Sequence, residues 1–297
     1  MMTVIRNIDK ELTINAEENL SPFALYPNEE LKRLEVGAPG HIFITDIDKL
    51  ILLVLNKYQV LTSSLMMVAL TNLGLENAEQ KDIQRRLKLL VSSNFVTKAQ
   101  FETPNGRAAA KCYMLGYRGR GYLKSIAQQV KLTGYIAGID HIQCKKILAV
   151  NQYLIRTEQE QSKVEVCLPI YVPSKTEEKS SLIFRPQATL FDNHTVFIEA
   201  VRSDDTELAY LLEKLDRMEK VLRRKDHNVE ISNPEVILVC ENQNHMKMVM
   251  KVIAEKKYHF DLKFTSDTLV YSEPQHCMFS ISMPRTFFSF AKKIACF

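Results

Sequence analysis

None of the six cysteines is spaced as Cys-x-x-Cys, and no cysteine–histidine cluster has the spacing of a zinc site. A chain of 297 residues is also long enough to bury a core without disulfide staples. The seven histidines (His41, His141, His194, His227, His245, His259 and His276) form neither His-x-x-x-His nor His-Glu-x-x-His. No Gly-x-x-x-x-Gly-Lys-Ser/Thr run and no Gly-x-Gly-x-x-Gly occurs, so nucleotide use has no support. Tryptophan is absent, which decides nothing. Apolar runs such as Leu50–Leu55 are far too short to span a bilayer. The N-terminus mixes acids and bases with no apolar stretch of the signal-peptide kind. There is no internal repeat and no low-complexity tract. These absences predict a reduced, cytoplasmic, globular protein with no membrane partner.

What is present is a charge segregated along the chain. The net charge is only +4. Between Asn77 and Gly134, however, eleven Lys/Arg stand against three acids, a surplus of eight that leaves the rest of the chain acidic by four. A basic block in a mildly acidic protein points to a polyanion-binding surface, the alternative being a solvated face that binds nothing.

Residues 1–40 are punctuated by Pro22, Pro27, Gly37, Pro39 and Gly40 and read as an N-terminal arm, with room for a short helix around Asn28–Glu35. Asp46 is the expected cap of a helix running to about Tyr58. A second helix starts at Thr62-Ser63 and ends before Gly74. A third runs from Asn77 or Ala78 to about Ser93, with Ile83, Leu87, Leu90 and Val91 inward and Lys81, Gln84, Arg85 and Lys88 outward. A strand at Phe95–Lys98, an Asn105-Gly106 turn and a return strand at about Ala109–Leu115 make a hairpin, with a helix from about Gly119 to Val130 after it. Three helices followed by a hairpin are the order of a winged helix. A helix fits the major groove and presents Gln and Arg to base edges, while the hairpin tip reaches the neighbouring backbone. The candidate DNA-binding residues are Lys81, Gln84, Arg85, Lys88, Asn105, Arg107, Lys111, Arg118 and Arg120. Gly116–Gly121, with three glycines and two arginines, reads either as a phosphate-touching loop or as a plain connection.

Lys131–Gly138 reads as a linker, and the chain then changes character. Asp140 caps a predicted helix to about Thr157. Strands follow at Val164–Val172, Ser181–Phe191 and His194–Val201, the last two joined by an Asp192-Asn193 turn. A charged helix spans Asp204 to about Arg224, with expected pairs Glu213–Arg217 and Asp216–Lys220 and a row of leucines that could serve as a dimer contact. A strand at Glu235–Cys240 and a helix over about Gln243–Lys257 come next. Short strands close the chain near Phe260–Phe264, Thr268–Tyr271 and Cys277–Ile281. Helix, three strands, helix, strand, helix is an α/β order with a mixed sheet.

The stretches Asp140-His141 through Leu148-Ala149-Val150-Asn151, Arg185-Pro186-Gln187-Ala188, Val196-Phe197-Ile198-Glu199-Ala200-Val201 and Glu207 through Lys214-Leu215 resemble the replication-relaxation family. That family joins a winged helix to a PD-(D/E)xK nuclease-like domain and is linked to plasmid or other mobile-element DNA. The resemblance covers about half the chain. It implies an acid on the second strand and an acid–x–lysine pair on the third, together holding a divalent metal through hard oxygen ligands. This chain departs from that pattern: Gln187 stands where the family has Asp, and Val201 follows Glu199 where Asp or Lys is expected. Glu199 is the surviving carboxylate, Asp192 the nearest substitute, Arg202 and Lys214 nearby cations, and pairing of Glu199 with Arg185 or Arg202 the structural alternative. One carboxylate alone is a poor metal site.

The expectation is therefore an α+β chain: an arm at 1–40, a winged-helix DNA-binding domain at 41–131, and an inactive nuclease-like α/β domain of restriction-endonuclease type with a mixed sheet at 132–297. It binds double-stranded DNA in replication, mobilisation or transcription control of a plasmid or other mobile element. No catalytic residue, metal or cofactor is expected. The alternatives are a metal-dependent nuclease or nickase using Glu199 and Asp192 with Mg²⁺, and a protein-interaction assembly factor whose second domain takes a protein partner. A homodimer reading paired half-sites fits the DNA-binding reading.

Overall fold

The computed structural model describes residues 21, 23–26, 29–33, 42–75, 79–102, 108–128, 130, 139–160, 164–167, 171–172, 182–183, 187–190, 194–223, 235–256, 258–272, 278–281 and 291–294, some of them at the backbone level only. The expected Lys131–Gly138 linker and the Asp192-Asn193 turn lie outside these residues. The protein is α+β and divides into two compact units. One is Leu25–Asn151; the other joins Met1–Ala24 to Gln152–Phe297.

In the first unit, helices α1 (Asp46–Tyr58), α2 (Ser63–Asn72) and α3 (Gln80–Ser92) precede a hairpin of β3 (Val96–Glu102) and β4 (Ala108–Leu115), followed by α4 (Tyr117–Ser125). The cap of α1 is Thr45, not Asp46. Its hydroxyl accepts from the Asp48 amide at 3.4 Å while the Asp48 carboxylate accepts from the Thr45 amide at 2.8 Å, a reciprocal capping box. Thr62 caps α2 at 3.2 Å, and Gly74 leaves it with φ +90°. Ile51, Leu52, Leu55, Met66, Leu70, Ile83, Leu87 and Leu90 are all fully buried, so the period-3.6 rows close one core.

Two strands went unread in the sequence. Residues 30–33, placed where a helix was expected, form β1 (Glu30–Arg33) and pair antiparallel with β3, from Glu30↔Glu102 to Arg33↔Ala99. Glu-Leu-Lys-Arg has good helix formers, but the open edge of β3 supplies backbone partners that override that weak preference. Val60–Leu61 forms β2 against β4, giving an antiparallel sheet in the order β1-β3-β4-β2.

Helix α4 starts at Tyr117, earlier than Gly119. A Cβ on Gly119 would lie 2.2 Å from the Phe95 carbonyl oxygen, and one on Gly116 2.4 Å from that of Asn94. These two glycines therefore let the helix sit directly on backbone, and they are buried. The phosphate-loop reading of Gly116–Gly121 fails for both of them.

Helix α5 (His141–Glu160) is capped by Asp140, whose Oδ1 accepts from the Gln143 amide at 2.7 Å. The division between the units falls within it, so the first unit extends well past the expected limit at 131. The cause is specific. Buried Asn151 donates through Nδ2 to the carbonyls of Tyr58 at 2.6 Å and Val60 at 2.7 Å, and buried Lys145 pairs with Glu29 between the rings of Tyr26 and Phe101.

The second unit is built on a seven-stranded mixed sheet in the order β13-β12-β11-β10-β9-β8-β5. Here β5 is Val164–Cys167, β8 Gln187–Leu190, β9 His194–Ala200, β10 Glu235–Cys240, β11 Asp261–Ser266, β12 Met278–Ile281 and β13 Ala291–Ile294, while β6 (Tyr171–Val172) and β7 (Leu182–Ile183) pair separately. Strands β5, β8 and β9 run antiparallel; β9, β10 and β11 run parallel; β12 and β13 return antiparallel. The parallel steps are bridged by α6 (Asp205–Arg223) and α7 (Gln243–Ile253). Every residue of β10 is buried, as its near-continuous apolar run requires of a strand covered on both faces. Leu211, Leu215 and Met218 of α6 point into this core, which removes them from a dimer contact. Residues 268–271, expected as a strand, lie in a short helix α8 (Asp267–Ser272), and within the strands expected at 164–172 and 181–191 the described residues form β5, β6, β7 and β8.

Candidate nucleic-acid interface

Helix α3 offers the clearest functional surface. Lys81, Gln84, Arg85 and Lys88 are exposed, opposite the buried row Ile83, Leu87 and Leu90. At 3.6 residues per turn the four polar side chains fall within an arc of about 100°. Neighbouring Arg86 is turned away from this face. It binds Asp48 with Nε at 2.8 Å and with Nη2, and reaches the Phe43 carbonyl at 3.5 Å. Burial pushes the Asp48 carboxyl up, but hydrogen bonds from Arg86 and Thr45 outweigh it and hold the group below its usual range.

The other predicted cations divide by position. Lys111 is exposed on β4. Arg118 is half-buried: its guanidinium lies 4.8 Å from the centre of the Phe95 ring and donates to the Ser93 carbonyl at 3.2 Å, closing the end of α3 rather than facing a ligand. Arg120 is half-buried as well. Asn105 and Arg107 at the hairpin tip lie outside the described residues. Lys98, which the sequence reading left out, shares a face of the hairpin with Lys111, because Gln100 is two residues from Lys98 and registers with Lys111. Partial burial and the charge of Lys111 push the Lys98 ammonium down. The alternation Lys98-x-Gln100 against Lys111 carried this signal once the hairpin register was known.

In the second unit, Glu199 pairs with Lys214 of α6 at 2.5 Å, and both side chains are largely buried. Gln187 registers opposite Phe197, and Asp192 and Arg185 lie outside the described residues. Arg202 is engaged elsewhere. It is fully buried and holds Asp267 through Nη1 at 2.6 Å and Nη2 at 3.4 Å, the Val239 carbonyl at 3.0 Å and the Phe23 carbonyl at 3.3 Å. Ser21 donates to the same Asp267 carboxylate, and Gln152 donates to the Asp267 backbone carbonyl at 2.7 Å. Burial works against the Arg202 charge, but the Asp267 carboxylate outweighs it and keeps the guanidinium protonated. Close by, burial pushes His245 down to about 4, which keeps it neutral so that Nδ1 accepts from the Glu241 amide at 3.3 Å. This cluster lies just past the ends of β9, β10 and β11, and the sequence reading passed over it. The hint was Arg202 and Glu241 standing directly after the apolar stretches Val196–Val201 and Val236–Cys240.

Among the described residues no group of three or more His, Cys, Asp or Glu could hold a metal. Of the two candidate ligands for the Mg²⁺ site that the family resemblance implies, Glu199 pairs with Lys214 and Asp192 lies outside the described residues. No helix among them is long and apolar enough to cross a membrane. No family model, no curated protein and no solved structure matches the chain.

Proposed function

We propose that the protein binds double-stranded DNA through a winged helix, as part of the replication, mobilisation or transcription control of a plasmid or other mobile element in the cytoplasm. The observation that carries this reading is the exposed Lys81, Gln84, Arg85 and Lys88 face of α3, with a hairpin following that bears Lys98 and Lys111 on one side. Cationic side chains on one helix face release counterions when they meet phosphates, and Gln and Arg on the same face can read base edges. The order of α5, antiparallel β5, β8 and β9, then α6 and a β10 parallel to β9 supports a nuclease-like second domain. The neutral Gln187 where the family has an acid argues that this domain is not catalytic.

Electrophoretic mobility shifts of duplex DNA across a salt series test the reading. We expect a shift at low salt that weakens as salt rises. Arg85→Ala and Lys88→Ala should each weaken binding, with the slope of log K against log salt falling by about one for a lost phosphate contact. No shift at low salt overturns the proposal. Supercoiled plasmid incubated with Mg²⁺ should stay intact; nicking by the wild type that Glu199→Ala abolishes would restore the nuclease alternative.

A further inference from the structure

The first unit holds a pair of thiols that DNA binding does not use. Cys112 lies on β4, the return strand of the hairpin, and Cys144 lies in the second turn of α5. Both are fully buried, and their sulfurs are 3.7 Å apart across 32 residues of sequence. They are free thiols in contact. A disulfide bond of about 2.05 Å needs less than roughly 2 Å of sulfur movement from this position, within reach of small side-chain torsions.

We propose that Cys112 and Cys144 form a redox latch that a small hydroperoxide closes, stapling the hairpin to α5. One thiolate attacks a peroxide oxygen, giving a sulfenic acid and releasing hydroxide. The second thiolate then displaces hydroxide from that sulfur to form the disulfide. Two thiols and one hydrogen peroxide become one disulfide and two waters; the cysteines lose two electrons and the peroxide gains them.

Burial determines how the latch is gated. Its hydrogen bond with Cys112 and its burial together push the Cys144 thiol well up, so the resting Cys144 is protonated and slow to react. Attack requires a local opening that admits an oxidant of about the size of water, and larger disulfide reagents are excluded. Once closed, the bond couples β4, which also carries exposed Lys111, to a helix whose Asn151 and Lys145 are already tied into the same unit. Cys240 is also buried, but it belongs to the other unit.

The test uses the reduced full chain. Protein is treated with hydrogen peroxide under native conditions, alkylated in denaturant, digested and analysed by mass spectrometry. The expected product joins the Cys112 and Cys144 peptides, is two hydrogens lighter than their sum, and disappears with dithiothreitol. Amide exchange along β4 should slow at least several-fold in the oxidised protein. In C144S, Cys112 should stop at a sulfenic acid trappable by dimedone; if that variant fails to fold, the wild-type peptide map alone decides. Recovery of both cysteines alkylated while other thiols are oxidised overturns the proposal, as does a crosslink that forms only when peroxide is added in urea. The readout is independent of DNA, so the latch and the DNA-binding reading can fail separately.

Discussion

Arg85 and Arg86 are neighbours in the sequence with opposite tasks. Arg86 leaves Asp48 unpaired if it is removed, and a buried carboxylate without its partner is costly. Arg86→Ala should destabilise the protein by about 2–3 kcal/mol, at the low end for a broken buried pair because the arginine is partly exposed. Arg85→Ala should leave the thermal midpoint nearly unchanged and, on the DNA-binding function proposed above, weaken DNA affinity. The Asp48 carboxyl is depressed in the folded state, so its contribution is full above the unfolded value of about 3.9 and is lost as pH falls below it. Thermal melts across pH should show this acid loss in the wild type and less of it in Arg86→Ala. His245 acts in a higher window. Its folded value, about 4, lies below the unfolded one, so between about 6.5 and 4 the unfolded chain binds the extra proton and stability falls with acidification. His245→Gln should flatten the melting midpoint across that range; an unchanged slope would show that the ring titrates freely when folded.

At the scale of elements, the caps and rows were legible and the pairings were not. Thr45 with Asp48, Thr62, Gly74 and Asp140 are local signals, and each end lies within a residue or two of its expected place. The outward Lys81, Gln84, Arg85 and Lys88 followed from helical period alone. Strand β1 was not legible, because what makes it a strand is the edge of β3, about seventy residues later in the chain. Helix α8 was missed for a similar reason: Thr268-Leu269-Val270-Tyr271 is rich in β formers, but a helix begins at Asp267, whose carboxylate the Arg202 pair holds. The Glu199–Lys214 contact also needed three dimensions, since helix α6 delivers the lysine. Asn151 carries a prediction at this scale. Asn151→Ala would leave the Tyr58 and Val60 carbonyls without their buried donor and should cost about 2 kcal/mol, measured by denaturant unfolding. An Asn151→Asp variant should fare no better, because a carboxylate cannot donate to those oxygens.

At the scale of the whole molecule, the order of the chain and the order of the fold differ. The sequence reading set residues 1–40 apart as an arm, but Ser21 and Phe23 are components of the second unit. Ser21 donates to Asp267 and accepts from the Phe23 amide at 3.0 Å, while the Phe23 carbonyl accepts from Arg202. Ser21→Ala should therefore lower the stability of that unit by about 1–2 kcal/mol, with amide exchange near Arg202 and Asp267 rising first. Loss of protection confined to the first unit would contradict this placement. No local pattern could have announced it, since proline and glycine content reports turns and not the distant carboxylate that a serine meets.

The partners Ser21 and Asp267 are 246 positions apart. On a ribosome adding about 5–20 residues per second, the serine emerges roughly ten to fifty seconds before the aspartate exists. The first unit, Leu25–Asn151, has all its own residues during that interval, and the second does not. Nascent chains arrested before Asp267 should thus present a finished helical and hairpin unit with Ser21 and Phe23 unclaimed, and amide protection at Phe23 should appear only after Asp267 has been made.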